Sequence, residues 1–307
     1  MRNNTMIDEK DYPLTFSGHE TFPLRQMWLK KIVDIADING DIPKKSFSEP
    51  EIIAELGVGK NMLLSMRHWA VACGVMYEKT TNCFSLSDFA KQILADDGLD
   101  PYSEHPSTTW LLHWALSTFG TKATTIYWVF NKINNSSFTK SDLKVQLKQL
   151  CDRRQKKVSD SSLVKDIEAS LRGYLPKSIG AYEEDYADPI FGELGLLSSV
   201  ENGHYVFNRG PKLSLNDATF TYALLDYWKP RKSMSSTLSL DEVAFGESSP
   251  GRIFKLDEDS IAERMMSIDE LTGQRITWSN SAGIKQLSKG DFDFDDLMAE
   301  MLRKAYD

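Results

Sequence analysis

The sequence predicts a mainly α-helical protein with small β wings, built of tandem winged helix-turn-helix-like modules around a central helical hairpin. Three observations lead there. Residues 47–89 read as helix, glycine turn, helix and strand ribbon. Residues 107–133 are apolar nearly all round, and the helix, helix, hairpin grammar returns after residue 138.

Ser48 stands as the N-cap of a first helix running to about Leu56, with Glu51 three residues on at the capping-box spacing. Gly57-Val58-Gly59 supplies the turn. A second helix runs from Lys60 to just before Gly74, with Met62, Leu63, Met66, Trp69, Ala70 and Cys73 on one side at helical spacing. Asn61, Ser65 and His68 fall on the other side, with Lys60 and Arg67 at its margin. A recognition helix presents its outer face and N-terminal turn to the DNA major groove, where Arg, Lys and Asn read bases or grip phosphates. Val75 to Tyr77, the polar tip Glu78 to Asn82 and Phe84 to Leu86 make the expected wing, which carries Lys79. The competing explanation is that such a module serves dimerisation or protein docking. Residues 57–80 carry Lys60, Arg67 and Lys79 against Glu78, a modest positive balance, and the lone His68 is a weak candidate for catalysis or ligand binding.

Asp88 to Leu94 reads as a short helix and Asp96 to Pro106 as a polar linker. Ser107 to Phe119 and Thr121 to Ile133 form a hairpin whose helices lack a polar face, as buried centres do. His105 and His113 read there as satisfied core or surface histidines. In the second cycle, Phe138-Thr139-Lys140 opens a helix through Leu150, and Ser159 or Asp160 caps one from Ser161 to Leu175. Leu196 to Val200 and His204 to Phe207 flank Glu201-Asn202-Gly203, and Asn-Gly between apolar runs signals a hairpin. The last third repeats the pattern, without residue identity. It has helices at Leu215 to Trp228, after Ser239, at Asp257 to Ser267 and at Asp295 to Tyr306, and strands at Ile276 to Trp278 and Ile284 to Leu287. The expected segments are 1–98 (arm and first winged module), 99–212 (central helices and second module) and 213–307 (third module).

At 307 residues, with 41% hydrophobic and 26% charged residues, the chain can bury two or three modest cores. The first fourteen residues lack an apolar run and no stretch is long enough for a membrane span, so a cytoplasmic location without membrane contact is expected. Cys73, Cys83 and Cys151 are too scattered for a disulfide framework or structural zinc, and Cys73 reads as a small buried thiol. A net charge of −8 argues against non-specific DNA wrapping, so any DNA contact must be local. One basic run exists, Arg153, Arg154, Lys156 and Lys157, which suits either a phosphate backbone or a solvated helix end. Glu183-Glu184-Asp185 with Asp188, and Asp291 to Asp296, give acidic faces that could meet another subunit, as in a homodimer. Nuclease chemistry needs clustered carboxylates around divalent ions. These two clusters read instead as solvated loops. No restriction-type carboxylate-lysine signature, nucleotide-binding glycine loop or transesterase tyrosine motif is present, so the residues of any nicking reaction stay unassigned.

Ser17-Gly-His-Glu-Thr-Phe-Pro-Leu-Arg-Gln-Met-Trp-Leu-Lys-Lys31, Leu56-Gly-Val-Gly-Lys-Asn-Met62 and Met66-Arg-His-Trp69 resemble the domain-of-unknown-function family numbered four thousand and seven. The likeness extends through Ser162-Leu-Val-Lys-Asp-Ile and Leu171-Arg-Gly-Tyr174 into the final third. It implies a component of a single-stranded DNA phosphorothioation system in bacterial anti-phage defence clusters. The implied partners are DNA, a cysteine desulfurase, an ATPase and a sulfurtransferase related to phosphoadenosine-phosphosulfate reductases. The implied activity is DNA nicking, with Mg or Mn, that opens the backbone for sulfur to replace a non-bridging phosphate oxygen. His19, Glu20 and Arg25 lie in the family's N-terminal signature, where they could serve as base, metal ligand and phosphate clamp. Alternatively, Phe16, Phe22, Pro23 and Trp28 pack the arm against the first module while His19 and Glu20 satisfy buried backbone groups. A non-catalytic adaptor for the sulfur-transfer complex, or a transcription regulator, is the rival function; it accounts for the acidic charge and the missing catalytic motif.

Overall fold

The computed structural model describes residues 12–176, 189–231 and 235–307. Its first segment runs α1 (Trp28–Asp34), β1 (Asp41–Pro43), a 3-10 turn (Lys44–Ser48), α2 (Pro50–Leu56), α3 (Lys60–Ala72), β2 (Met76–Thr80), β3 (Cys83–Leu86) and α4 (Asp88–Leu94). The strands form an antiparallel sheet in the order β1-β3-β2, with Ile42 opposite Phe84 and Met76 opposite Leu86. Strand β1 was not expected; at three residues it is too short to show alternation. Ser48 is not the cap of α2, because its hydroxyl donates to the Lys45 carbonyl at 2.8 Å. The helix opens instead at Pro50, whose fixed φ suits a first helical position and whose missing N–H costs nothing there. Gly57 ends α2 in the left-handed region (φ 62°), returning its amide to the Ala54 carbonyl.

The central helices α5 (Pro106–Phe119) and α6 (Thr124–Asn131) are buried along almost their whole length, as their uniformly apolar faces predict. The pattern of the first segment then recurs. The second copy comprises β4 (Ser137–Thr139), α7 (Lys140–Arg153), α8 (Asp160–Arg172), β5 (Leu197–Val200) and β6 (His204–Phe207), with sheet order β4-β6-β5. Thr139 and Asp142 close a reciprocal capping box on α7, and Ser159 caps α8. After α9 (Asp217–Trp228) the third copy follows: β7 (Thr237–Ser239), α10 (Leu240–Phe245), α11 (Pro250–Ile253), α12 (Glu258–Met266), α13 (Ile268–Leu271), β8 (Ile276–Ser281) and β9 (Ile284–Lys289), in the order β7-β9-β8. Helix α14 (Phe294–Lys304) packs on α9. In each copy the strand before the first helix lies beside the last strand, so three distant sequence segments share one sheet order. Among the described residues no helix is long and apolar enough to cross a membrane.

Contacts from all three segments converge on the hairpin. The His113 ring meets the Tyr174 hydroxyl at 2.8 Å and the Ile253 carbonyl at 3.1 Å, and the Ser107 hydroxyl donates to the Ala305 carbonyl at 2.8 Å. Lys255 is fully enclosed, donating to the Phe130 carbonyl at 3.1 Å with its nitrogen 4.1 Å from the centre of the Phe207 ring. Burial, aided by Arg209 and Arg252, pushes its pKa well below the usual lysine value. The unfolded chain holds that proton up to about pH 10.5, so at any lower pH Lys255 weighs against folding, and stability rises with pH as the penalty lifts. Lys255→Met is therefore expected to raise the urea midpoint at pH 7, by about 1 kcal/mol or more in stability. It should also flatten the rise toward alkaline pH. A lower midpoint would mean that the Phe130 hydrogen bond outweighs desolvation.

Candidate nucleic-acid interface

The N-cap of helix α3 is Gly59, which offers no side-chain cap. The amides of its first turn therefore face outward without a side-chain partner and carry the positive end of the helix dipole. Lys60 and Asn61 are exposed on this turn, as the spacing predicts. Leu63, Met66, Trp69, Ala70 and Cys73 are buried on the opposite side, and burial pushes the Cys73 thiol pKa up.

Two residues expected on the outer face are corrected. Ser65 is fully buried, so it offers nothing to DNA. His68 turns toward the N-terminal arm, its ring edge-on to His19 with centroids 5.8 Å apart. Gly18 (φ +108°) permits this approach: a Cβ there would sit 2.6 Å from His68 Nδ1. Burial lowers the His68 pKa to about 3, with smaller contributions from His19, Lys122 and Arg67. A neutral imidazole at physiological pH is a poor phosphate ligand. Arg67 stays at the margin, its guanidinium 5.7 Å from the centre of the Phe47 ring.

The cations at the three-stranded sheet, Lys79 of β2 and Lys44 after β1, are already engaged. Lys79 bonds both Asp41 oxygens, at 2.7 and 3.0 Å, and Lys44 is held by Glu78. Lys79 could reach a phosphate only by leaving Asp41, whose hydrogen bond raises its pKa. In the second basic run, the Arg154 guanidinium donates to the Tyr12 carbonyl at 2.5 Å and so fastens the arm to the end of α7. Arg153, Lys156 and Lys157 are exposed beside it.

In the N-terminal signature, His19 is buried with both ring nitrogens committed. Nε2 lies 2.9 Å from Asp166 Oδ1, and Nδ1 accepts the Thr21 amide at 3.1 Å. Thr125 donates to the other Asp166 oxygen at 2.5 Å. Both His19 nitrogens are thus taken up by the protein itself, which favours its packing role in the arm. Glu20 is exposed rather than satisfying buried groups, with φ +47°. Arg25 is corrected as a phosphate clamp: it is 9% exposed, its guanidinium 5.4 Å from the Phe22 ring and 5.3 Å from the Trp28 ring. Phe16 and Trp28 are buried, and Trp69 Nε1 donates to the Phe22 carbonyl at 3.0 Å, so the arm is packed on α3.

Asp166 was missed as a key residue, although it lies in the Ser162–Ile167 motif; a lone aspartate within a helix gave no sign of a partner 147 positions away. Of the acidic clusters, Glu183 to Asp188 lies outside the described residues. Asp293 caps α14 by accepting the Asp295 and Asp296 amides, at 2.8 and 3.1 Å, and Lys229 holds Asp295. Among the described residues, no three His, Cys, Asp or Glu side chains converge to hold a metal ion.

Two solved structures are similar, one described as an SspB crystal structure and the other as magnesium ion-bound SspB. Each is 28% identical, covering 95% of this chain and 88% of the other, with TM-scores of 0.83 and 0.81 respectively. Comparison with curated protein sequences returns no match. A family model described as a protein of unknown function (DUF4007) matches residues 16–306. The chain belongs to the DUF4007 family.

Proposed function

We propose that this chain is the DNA-engaging component of a bacterial DNA phosphorothioate-modification and anti-phage defence system. The likeness to SspB over 95% of its length carries this reading, together with the phosphorothioation role that the family resemblance implies. In it, the three repeated units are winged helix-turn-helix-like modules, in segments 1–98, 99–212 and 213–307. The first meets DNA through Lys60, Asn61 and Arg67 on α3, with Lys79 on the wing and Arg153, Lys156 and Lys157 as a second backbone contact. DNA, an ATPase and a sulfurtransferase related to phosphoadenosine-phosphosulfate reductases are its partners, and a cytoplasmic location and a homodimer belong to the same reading.

The described residues do not assemble a donor set for the Mg or Mn that nicking would use, so no catalytic step is assigned to them. The experiment is incubation with supercoiled plasmid, with and without Mg or Mn, alongside fluorescence anisotropy on a labelled duplex. Duplex binding is expected, and Lys60→Ala and Asn61→Ala should each weaken it by about 1 to 3 kcal/mol if the contact is strong. Unchanged affinity in both folded variants would remove this face from the interface. Metal-dependent open-circular product would add the nickase activity. Co-purification with the sulfurtransferase without cleavage would instead favour the non-catalytic adaptor, and binding confined to one promoter sequence the regulator. The adaptor is supported by Lys79 and Lys44 beside the first sheet, which are already neutralised by Asp41 and Glu78.

A further inference from the structure

Three cations gather where the chain leaving β6 meets α11. Arg209 follows β6 by two residues, Arg252 lies within α11, and Lys255 comes just after it. The Gly210 amide donates to the Lys255 carbonyl at 3.1 Å, which stitches the two segments together. Arg252 donates through Nε to the Phe245 carbonyl at 2.8 Å, and through Nη1 to the Asn131 carbonyl at 2.7 Å and Asn134 Oδ1 at 2.9 Å. Arg209 makes one long hydrogen bond, 3.5 Å from Nη1 to the Leu256 carbonyl. Among the described residues none of the three meets a carboxylate. Glu247, whose charge reaches Arg252, is held by Tyr127 at 2.5 Å and by Lys132 at 2.8 Å.

Helix capping accounts for part of this cluster. Phe130 and Asn131 end α6, and Lys255 and Arg252 donate to their carbonyls. A helix C-terminus carries about half a negative charge. Two full positive charges exceed it, and Arg209 adds a third that touches neither carbonyl. The excess is felt within the cluster: burial is the main cause that lowers the pKa of Lys255 and of Arg252, and Arg209 lowers both further. Like charges held together without a counter-charge repel, and an anion between them turns that repulsion into attraction. Lys255 is enclosed, Arg252 half-buried and Arg209 exposed, so an anion arriving from solvent meets Arg209 first. A guanidinium donates in a planar fork that matches paired phosphate oxygens. Arg209 Nε and Nη2, and Arg252 Nη2, have no protein acceptor among the described residues.

We propose that Arg209 and Arg252 clamp one phosphodiester of the DNA backbone, with Lys255 enclosed behind them. The assignment rests on the DNA-engaging reading and adds a contact far in sequence from Lys60 and from the Arg153 to Lys157 run. The test measures anisotropy of labelled duplexes of several sequences over a range of salt concentrations, with urea unfolding of each variant as the check on folding. Arg209→Ala, at an exposed position, should weaken binding about tenfold on every sequence and reduce the slope of log affinity against log salt by about one. Arg209→Lys, which keeps the charge but not the fork, should lose less affinity and keep the slope. Unchanged affinity in Arg209→Ala beside a loss in Lys60→Ala would overturn the clamp and leave the α3 contact standing. A loss confined to one sequence would also overturn it, because a phosphate contact carries no sequence information. Failure of the wild type to bind any duplex would overturn both.

Discussion

Asp166→Ala should cost about 3 to 5 kcal/mol of folding stability, the usual result of removing one partner from a buried charged network. Asp166 is 5% exposed on α8 and serves two elements at once, with His19 of the arm on one oxygen and Thr125 of α6 on the other. Truncation strands an imidazole N–H and a hydroxyl in a space that water does not reach, and each unpaired group costs about 1 to 3 kcal/mol. The His19 ring stacks near Trp69 with centroids 6.0 Å apart, so its release should also loosen the arm from α3. Urea unfolding with an unchanged m-value is the measurement. Asp166→Asn, which keeps an acceptor, should fall between wild type and alanine. A loss below about 1 kcal/mol would show that the arm does not depend on this bond.

Acidification is expected to weaken the protein before its carboxylates titrate. His113 is fully buried, and burial lowers its pKa to about 3, opposed in part by its bond to the Ile253 carbonyl. A ring that donates to this carbonyl through Nε2 and accepts the Tyr174 hydroxyl at Nδ1 is the neutral tautomer. The unfolded chain binds a proton near pH 6.5 and the folded one only near 3, so stability is lost as pH falls from 6.5. By pH 5 His113 should account for about 2 kcal/mol. His68, lowered to about 3 chiefly by burial, adds a loss in the same direction. The check is the urea midpoint at pH 7 and pH 5 for wild type and His113→Gln. The variant should lose less between the two, and a flat wild-type profile would mean that both rings reach solvent.

Spacing placed α3, the hairpin of α5 and α6, and the Asn-Gly turn between β5 and β6, because each rests on local periodicity or turn chemistry. It left out β1, β4 and β7, three-residue strands defined only by partners far along the chain. On α3, the exposed Lys60 and Asn61 follow from helical phase alone. Ser65 and His68 have the same phase, but Ser65 is fully buried and His68 is covered by His19 and Gly18 of the arm, which periodicity within one helix cannot reveal. Arg25 failed for a related reason: its charge suggested a phosphate, while Phe22 and Trp28, three residues away on either side, supplied a stacking site that the sequence already contained. Asp166 became visible only once distant segments were brought together.

The reach of the central hairpin also governs the order in which the molecule can be made. Ser107 on α5 donates to the Ala305 carbonyl, 198 positions downstream, and Thr108 meets the Tyr306 hydroxyl at 2.9 Å across the same interval. During synthesis α5 emerges from the ribosome long before these partners exist, carrying Trp110 and Trp114 on a helix with no polar face to turn toward water. The nascent chain must shelter that surface through much of its translation, by provisional collapse or by a chaperone, until α9 and Phe254 arrive to cover it.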